Sequence, residues 1–215
     1  MYLNGSLEKY VGDLAAKLPA PGGGSAAALV GSLAAALNSM VLNFTVGNEK
    51  FKANAESIVD EEEAKRVLAS SEKLRNELLN LVQEDVNVYS KVSGAYKMPR
   101  ATDEEKNKRN EMIQVSLKEA VKVPLRTLEI SIEVMRISEV LLKLGNPNLI
   151  SDVGVAACLA DATLKSSIIN IEVNLSSIKD KEFAAQMRKK VNEVETEGDV
   201  LRNEVWAEVL KKLNG

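Results

Sequence analysis

The placement of proline constrains this chain most. The five prolines, Pro19, Pro21, Pro99, Pro124 and Pro147, fall between periodic apolar segments and none inside one. Proline removes a hydrogen bond from a helix interior and clashes with the preceding turn, so this is the distribution a helical protein should show. No stretch alternates with period two for long. The pattern predicts an all-α fold, and short connections favour antiparallel packing in a single bundle of about seven helices. The first helix is predicted over 6–17. A second follows Gly22-Gly23-Gly24, with Ser25 as its N-cap, and runs to about Val46. A third, very long, spans about 54–96. Thr102 and Glu105 form a T-x-x-E capping box for a fourth, ending near Lys122. Pro124 suits the first turn of a fifth, which Gly145 closes as a C′ residue. A sixth opens at Ser151, and a seventh follows Asp180 to about Leu213. A length of 215 residues suits one domain spanning the whole chain.

Composition narrows the chemistry. Apolar residues make up 45% and charged residues 27%, so a full core can be buried, and the net charge of −3 offers no basic face for nucleic acid. The chain has no histidine. That removes Ser-His-Asp and Cys-His catalysis and nearly every zinc site, so no metal is expected. One cysteine, Cys158, cannot form an internal disulfide. The N-terminal MYLNGSLEKYVGDL lacks an apolar h-region and does not read as a signal peptide. The uncharged run from Leu18 to Asn48 is long enough to cross a bilayer. However, Pro19, Pro21 and the glycines occupy its start, Asn38 and Asn43 interrupt it, and alanine outnumbers leucine. A helix buried in protein is expected, without membrane association, and the working location is the cytoplasm. In that helix Ala27, Gly31, Ala35 and Ala28, Ser32, Ala36 recur every four residues, so small side chains line more than one face.

Three features put polarity where apolar residues belong. In the long third helix the heptad series Ala64, Ser71, Leu78, Asp85, Val92 and Val67, Leu74, Leu81, Val88, Ala95 place Asp85 on the core-facing seam, beside Val82 and Tyr89. Burying an unpartnered carboxylate costs several kcal/mol, roughly, or forces it to take up a proton. Asp85 is either paired structurally or raised in pKa toward the range of a general base. On the sixth helix Asp152, Ala156, Leu159, Thr163, Ser166, Asn170 and Asn174 form one stripe at helical spacing. This stripe lines a polar cavity, or else Asp152 caps the helix and the amides bond to neighbouring helices. The third feature is the glycine turn. At a helix N-terminus it offers free N–H groups to an anion, or it makes only a tight turn. With no Walker lysine and no preceding strand, it is not a P-loop or a dinucleotide fingerprint.

With these segments in view, the chain resembles the cyclodeaminase/cyclohydrolase family of folate one-carbon enzymes. The matching stretches are PAPGGGSAAALVGSLAAALNSMV, TVGNEKF, EDVNVYSKVSGAYKMPRATDEEKNKR, AVKVPLRTLE, GNPNLISDVGVAA and NIEVNLSSIKDKEF. They cover most of 18–183 in order. The resemblance implies an all-helical homodimer acting on a one-carbon derivative of tetrahydrofolate, with no cofactor beyond that substrate and no nucleic-acid partner. The family's catalytic aspartate lies in a D-x-x-x-F/Y segment, which corresponds here to Asp85 and Tyr89. Many relatives carry basic residues after the TVG segment. Here Asn48 and Glu49 replace two of them and Lys50 remains.

On this resemblance Asp85 is the expected general base, with Gly22, Gly23, Gly24, Ser25, Lys50, Tyr89, Asp152, Asn170 and Asn174 as substrate-binding residues. The glycine turn, together with Lys50, Lys97 and Arg126, is expected to hold the glutamate tail of folate. Hydrolysis of 5,10-methenyltetrahydrofolate to 10-formyltetrahydrofolate leads, because the chain ends near Gly215 with no transferase half. Ammonia release from formimidoyltetrahydrofolate is the alternative, and a non-catalytic folate-binding or scaffold dimer is the second.

Overall fold

The structure is a computed structural model that describes residues 2–48 and 61–214. Its helices are α1 (Leu7–Ala15), α2 (Gly23–Asn43), α3 (Glu61–Tyr96), α4 (Asp103–Leu144), α5 (Ile150–Leu175) and α6 (Lys181–Asn214). Short 3₁₀ turns occupy Tyr2–Asn4 and Pro147–Leu149. The all-α prediction holds, and no strand occurs among the described residues.

The sequence predicted two helices where the structure has one. The segments meant to meet at Pro124 form the single 42-residue α4, with Pro124 inside it and buried. An interior proline costs about 3 kcal/mol. Here Val121, Val123, Leu128 and Ile130 are buried on either side of it, and that burial outweighs the lost hydrogen bond. The predicted capping box is present, with Thr102 Oγ1 accepting from Glu105 N–H at 3.2 Å and Glu105 accepting from Thr102 N–H at 3.1 Å. Gly145 ends α4 as expected, but with extended backbone (φ −75°, ψ 159°) rather than left-handed. Glycine is needed there for space, since a Cβ would sit 2.7 Å from the Leu141 carbonyl and 3.0 Å from Val41 Cγ1.

Helix α2 runs through the middle of the bundle and packs on α3, α4 and α5. Its small residues permit this. A Cβ on Gly31 would lie 3.0 Å from Thr163 on α5 and 3.1 Å from Leu78 on α3. By length and composition α2 could cross a membrane, yet 61% of its most apolar stretch is buried inside the bundle. Its polar groups are paired there. Asn38 Nδ2 donates to the Val134 carbonyl at 3.0 Å, and Ser138 Oγ donates back to Asn38 Oδ1 at 3.1 Å. Ser39 Oγ donates to Ser71 Oγ at 3.0 Å. Along the heptad seam of α3, Ala64, Ser71, Leu74, Leu78 and Leu81 are buried and Val67 is half-buried. The seam loosens at Asp85, Val88 and Val92, which are half-buried because a cavity opens there.

Candidate active site

The cavity has a volume of about 370 Å³ and lies where the N-terminus of α2 meets the C-terminal halves of α3 and α5. One wall carries Asp85, Val88, Tyr89, Val92 and Tyr96 from α3; the opposite wall carries Asn170, Val173 and Asn174 from α5. Gly22, Gly23 and Gly24 close one end, and Leu117 and Ala120 of α4 form apolar floor. Residues from four segments of the chain therefore converge on one carboxylate.

Among the described residues Asp85 has no ion-pair partner. Its Oδ2 accepts the backbone N–H of Ser25 at 2.9 Å, while Oδ1 has no protein donor among the described residues. Burial raises its carboxyl pKa above the ordinary value, and the Ser25 N–H pulls it part of the way back. One oxygen is held, and the other is open to the cavity.

This contact corrects the expected capping of α2. Gly22, not Ser25, is the N-cap, and it supplies no side-chain bond. Asp85 takes that role from another helix, its negative charge set against the positive end of the α2 dipole. Gly24 is small by necessity, because a Cβ there would lie 2.1 Å from Asp85 Oδ1. Ser25 itself is fully buried, so its hydroxyl does not reach the cavity. It donates to the Val82 carbonyl at 2.9 Å and shares a 3.0 Å hydrogen bond with the hydroxyl of Tyr10, which is also buried. Ser25 acts on the site through its N–H alone.

The two asparagines are brought to the cavity as the helical stripe predicted. They bond to their own helix rather than to neighbours: Asn170 Nδ2 donates to Ser166 O at 2.8 Å and Asn174 Nδ2 to Asn170 O at 2.9 Å. Asp152 is not brought there. It lies eighteen residues before Asn170 on the same helix, a separation of about 27 Å. The stripe names a face but not a height along it.

The tail-binding expectation changes most. Asp85 already occupies the N-terminus of α2, so a second carboxylate would meet like charge there. Arg126 is committed elsewhere, its guanidinium 2.6 and 2.9 Å from Glu77 and 3.4 Å from each of Glu129 and Glu133, which pushes its pKa upward. Lys50 lies outside the described residues, and Lys97 is exposed. A cation held against the cavity-lining Tyr96 is one the sequence reading missed. Arg109 donates to the Tyr96 carbonyl at 3.0 and 3.2 Å and sits 5.8 Å from the centre of the Tyr96 ring. Tyr96 was missed as well, although Asp85, Tyr89, Val92 and Tyr96 follow the i, i+4, i+7, i+11 spacing of one helix face.

The chain can be compared with known proteins on this basis. Residues 6–193 match the family described as formiminotransferase-cyclodeaminase. A methenyltetrahydrofolate cyclohydrolase from Methylorubrum extorquens is 38% identical over 98% of this chain and 99% of its own length. The rat formimidoyltransferase-cyclodeaminase is 32% identical over 88% of this chain, which spans 34% of that longer protein. The crystal structure of a formiminotetrahydrofolate cyclodeaminase from Thermotoga maritima superposes with a TM-score of 0.79 at 30% identity, covering 100% of this chain and 98% of that one. By the family match, by full-length identity and by fold, this chain belongs to the formiminotransferase-cyclodeaminase family.

Proposed function

We propose that the chain is a methenyltetrahydrofolate cyclohydrolase, with Asp85 as its general base. The observation that carries the chemistry is the half-held carboxylate: Oδ2 fixed by Ser25 N–H, Oδ1 free, in a cavity large enough for a folate headgroup. The 38% identity across nearly all of both chains supports the hydrolytic direction. The substrate carries a delocalised positive charge over N5, the bridging carbon and N10. Water adds to that carbon and gives one proton to Asp85 Oδ1, leaving a neutral tetrahedral adduct. The bond from carbon to N5 then breaks. N5 takes the proton held by Asp85, the adduct hydroxyl loses its proton to solvent, and 10-formyltetrahydrofolate remains. The cation keeps Asp85 ionised until it is needed. Nothing beyond the folate substrate is required for these steps.

The likeness to a cyclodeaminase structure over the whole chain favours a second reading, in which N10 attacks the N5-formimidoyl carbon and ammonia leaves. Asp85 would serve the same proton transfers. The two are separated by following absorbance loss of methenyltetrahydrofolate beside ammonia release from formimidoyltetrahydrofolate. Turnover of the first alone establishes the hydrolase; ammonia release alone reverses the assignment. Folate binding without either reaction leaves the binding-protein reading.

A homodimer completes the proposal. Helix α1 turns Leu7, Val11 and Leu14 outward, 70%, 53% and 38% exposed, and a groove between α2 and α5 is lined by Ala26, Val30, Ala162 and Ile169. Two-fold pairing would cover both apolar surfaces with a second copy of the chain. A monodisperse monomer at micromolar concentration in ultracentrifugation would overturn it.

A further inference from the structure

The amides of Asn170 and Asn174 carry more information than their presence in the cavity. Each Nδ2 donates to a main-chain carbonyl one turn earlier on α5, at 2.8 and 2.9 Å. A carbonyl only accepts, so the amide group facing it must be the NH₂. Flipping either side chain would set two acceptors against each other. The carbonyl oxygens Oδ1 are therefore the fixed outward ends, and among the described residues neither has a protein donor. Being four residues apart, they present neighbouring acceptors on one helix face. Gly23 lies against the first of them, its Cβ position 3.5 Å from Asn170 Oδ1. Its own N–H, in the first turn of α2, has no acceptor among the described residues. An acceptor thus sits beside a donor, with a second acceptor one turn away.

A lactam joined to an exocyclic amine has the complementary edge. The reduced pterin of tetrahydrofolate presents a carbonyl at C4, an N–H at N3 and an amino group at C2 in sequence. Resting on the folate reading above, we propose that Asn170 and Asn174 read this edge: Asn170 Oδ1 accepts from N3–H, Asn174 Oδ1 accepts from the 2-amino group, and the Gly23 N–H donates to the C4 carbonyl. The pterin is then held between α5 and the start of α2. N5 and the one-carbon bridge, on the C4 side of the ring, are directed toward Asp85 across the cavity. The p-aminobenzoyl group leaves past Tyr89 and Tyr96, whose rings line the remaining wall.

The test pairs a changed ligand with a changed residue. The probes are 5,10-methenyltetrahydrofolate and its 2-desamino-2-methyl analogue, compared by kcat/KM on the wild type, Asn170→Ala and Asn174→Ala, with melting curves on all three. On the wild type the analogue should lose about five- to tenfold, the worth of one hydrogen bond left unmade. On Asn174→Ala the natural substrate should fall by a similar factor and the two ligands should become equal. Asn170→Ala should weaken both while the difference between them persists. Equal turnover of the two ligands by the wild type overturns the assignment with no variant involved, and so does a preference that survives intact in a folded Asn174→Ala. Wild-type protein that processes neither ligand overturns the cyclohydrolase reading itself, a result distinct from normal turnover with no amino-group preference.

Discussion

The backbone N–H of Ser25 and the carboxylate of Asp85, sixty residues apart in sequence, meet at 2.9 Å. The contact caps the start of α2 and fixes one carboxylate oxygen of α3. An aspartate placed on an apolar seam would otherwise be left with a bare charge or forced to stay protonated. Here the α2 N-terminus supplies one donor and the favourable end of a dipole, while burial resists ionisation.

Replacing Asp85 with Asn should separate chemistry from folding. The amide keeps the size of the side chain but cannot take a proton, so kcat should fall about 10²–10⁴-fold. Stability should hold or rise by about 1 kcal/mol, since a partly desolvated charge is removed. Turnover and thermal melting on the same preparation check both. A variant that melts normally and works at the wild-type rate would end the general-base assignment.

Gly24 and Gly23 should respond differently to the same methyl group. At Gly24 the added Cβ meets Asp85 Oδ1 at 2.1 Å and Cγ at 2.7 Å, so the carboxylate must swing off the Ser25 N–H. Gly24→Ala should cost at least about tenfold in kcat, the equivalent of roughly 1.4 kcal/mol. The melting temperature should fall too, by about 2–4 °C, because the Ser25 N–H loses the carboxylate that caps it, a loss of about 1 kcal/mol. At Gly23 the nearest atom is Asn170 Oδ1 at an ordinary 3.5 Å and Asp85 stays in place, so Gly23→Ala should crowd the substrate edge beside Asn170 and raise KM while kcat stays near normal. Equal losses in the two variants would show that the glycines serve only the turn.

Much of this site is legible in the sequence, and the gaps have physical causes. Asp85, Asn170 and Asn174 stand out because helical periodicity exposes a polar residue at an apolar position. Asp152 shares that periodicity and is absent from the cavity, because a repeat gives direction around a helix and no limit along it. Pro124 misleads because a local rule is weighed before the packing that overrides it is known. Ser25 has the right residue type for an N-cap. No sequence pattern reveals that an aspartate from α3 will cap α2 instead, or that Tyr10 will claim the serine hydroxyl. Pairings between distant segments depend on how helices stack, and one chain's residue order does not state that.

The Tyr10–Ser25 link should matter to stability and to activity in different proportions. Tyr10→Phe removes the hydroxyl but leaves Ser25 bonded to Val82, so it should cost about 1 kcal/mol. For a chain of this size that is a fall of about 2–4 °C in Tm. Ser25→Ala should cost more, about 1–3 kcal/mol, because the buried Tyr10 hydroxyl loses its partner. The double variant should lose less than the sum of the two, the mark of a shared contact. Strict additivity would show that the two hydroxyls do not cooperate.

The pH dependence follows from the same carboxylate. Burial holds the native Asp85 pKa above its ordinary 3.8, so the folded chain binds this proton more tightly than the unfolded chain does. Its contribution to stability is fully present below 3.8 and is lost as pH rises through the native value. The difference in stability between wild type and Asp85→Asn should therefore change in that window, with the variant gaining on the wild type as pH rises. Catalysis runs the other way, since the ionised form is the working base. In the free enzyme the raised pKa sets the acid limb of kcat/KM. In the complex the cationic substrate draws the pKa down, so the acid limb of kcat should lie at lower pH. Asp85→Asn should lose both limbs. Coincident limbs for kcat and kcat/KM would mean that the substrate cation does not reach Asp85, and the carboxylate would then have to act at a distance from the reacting carbon.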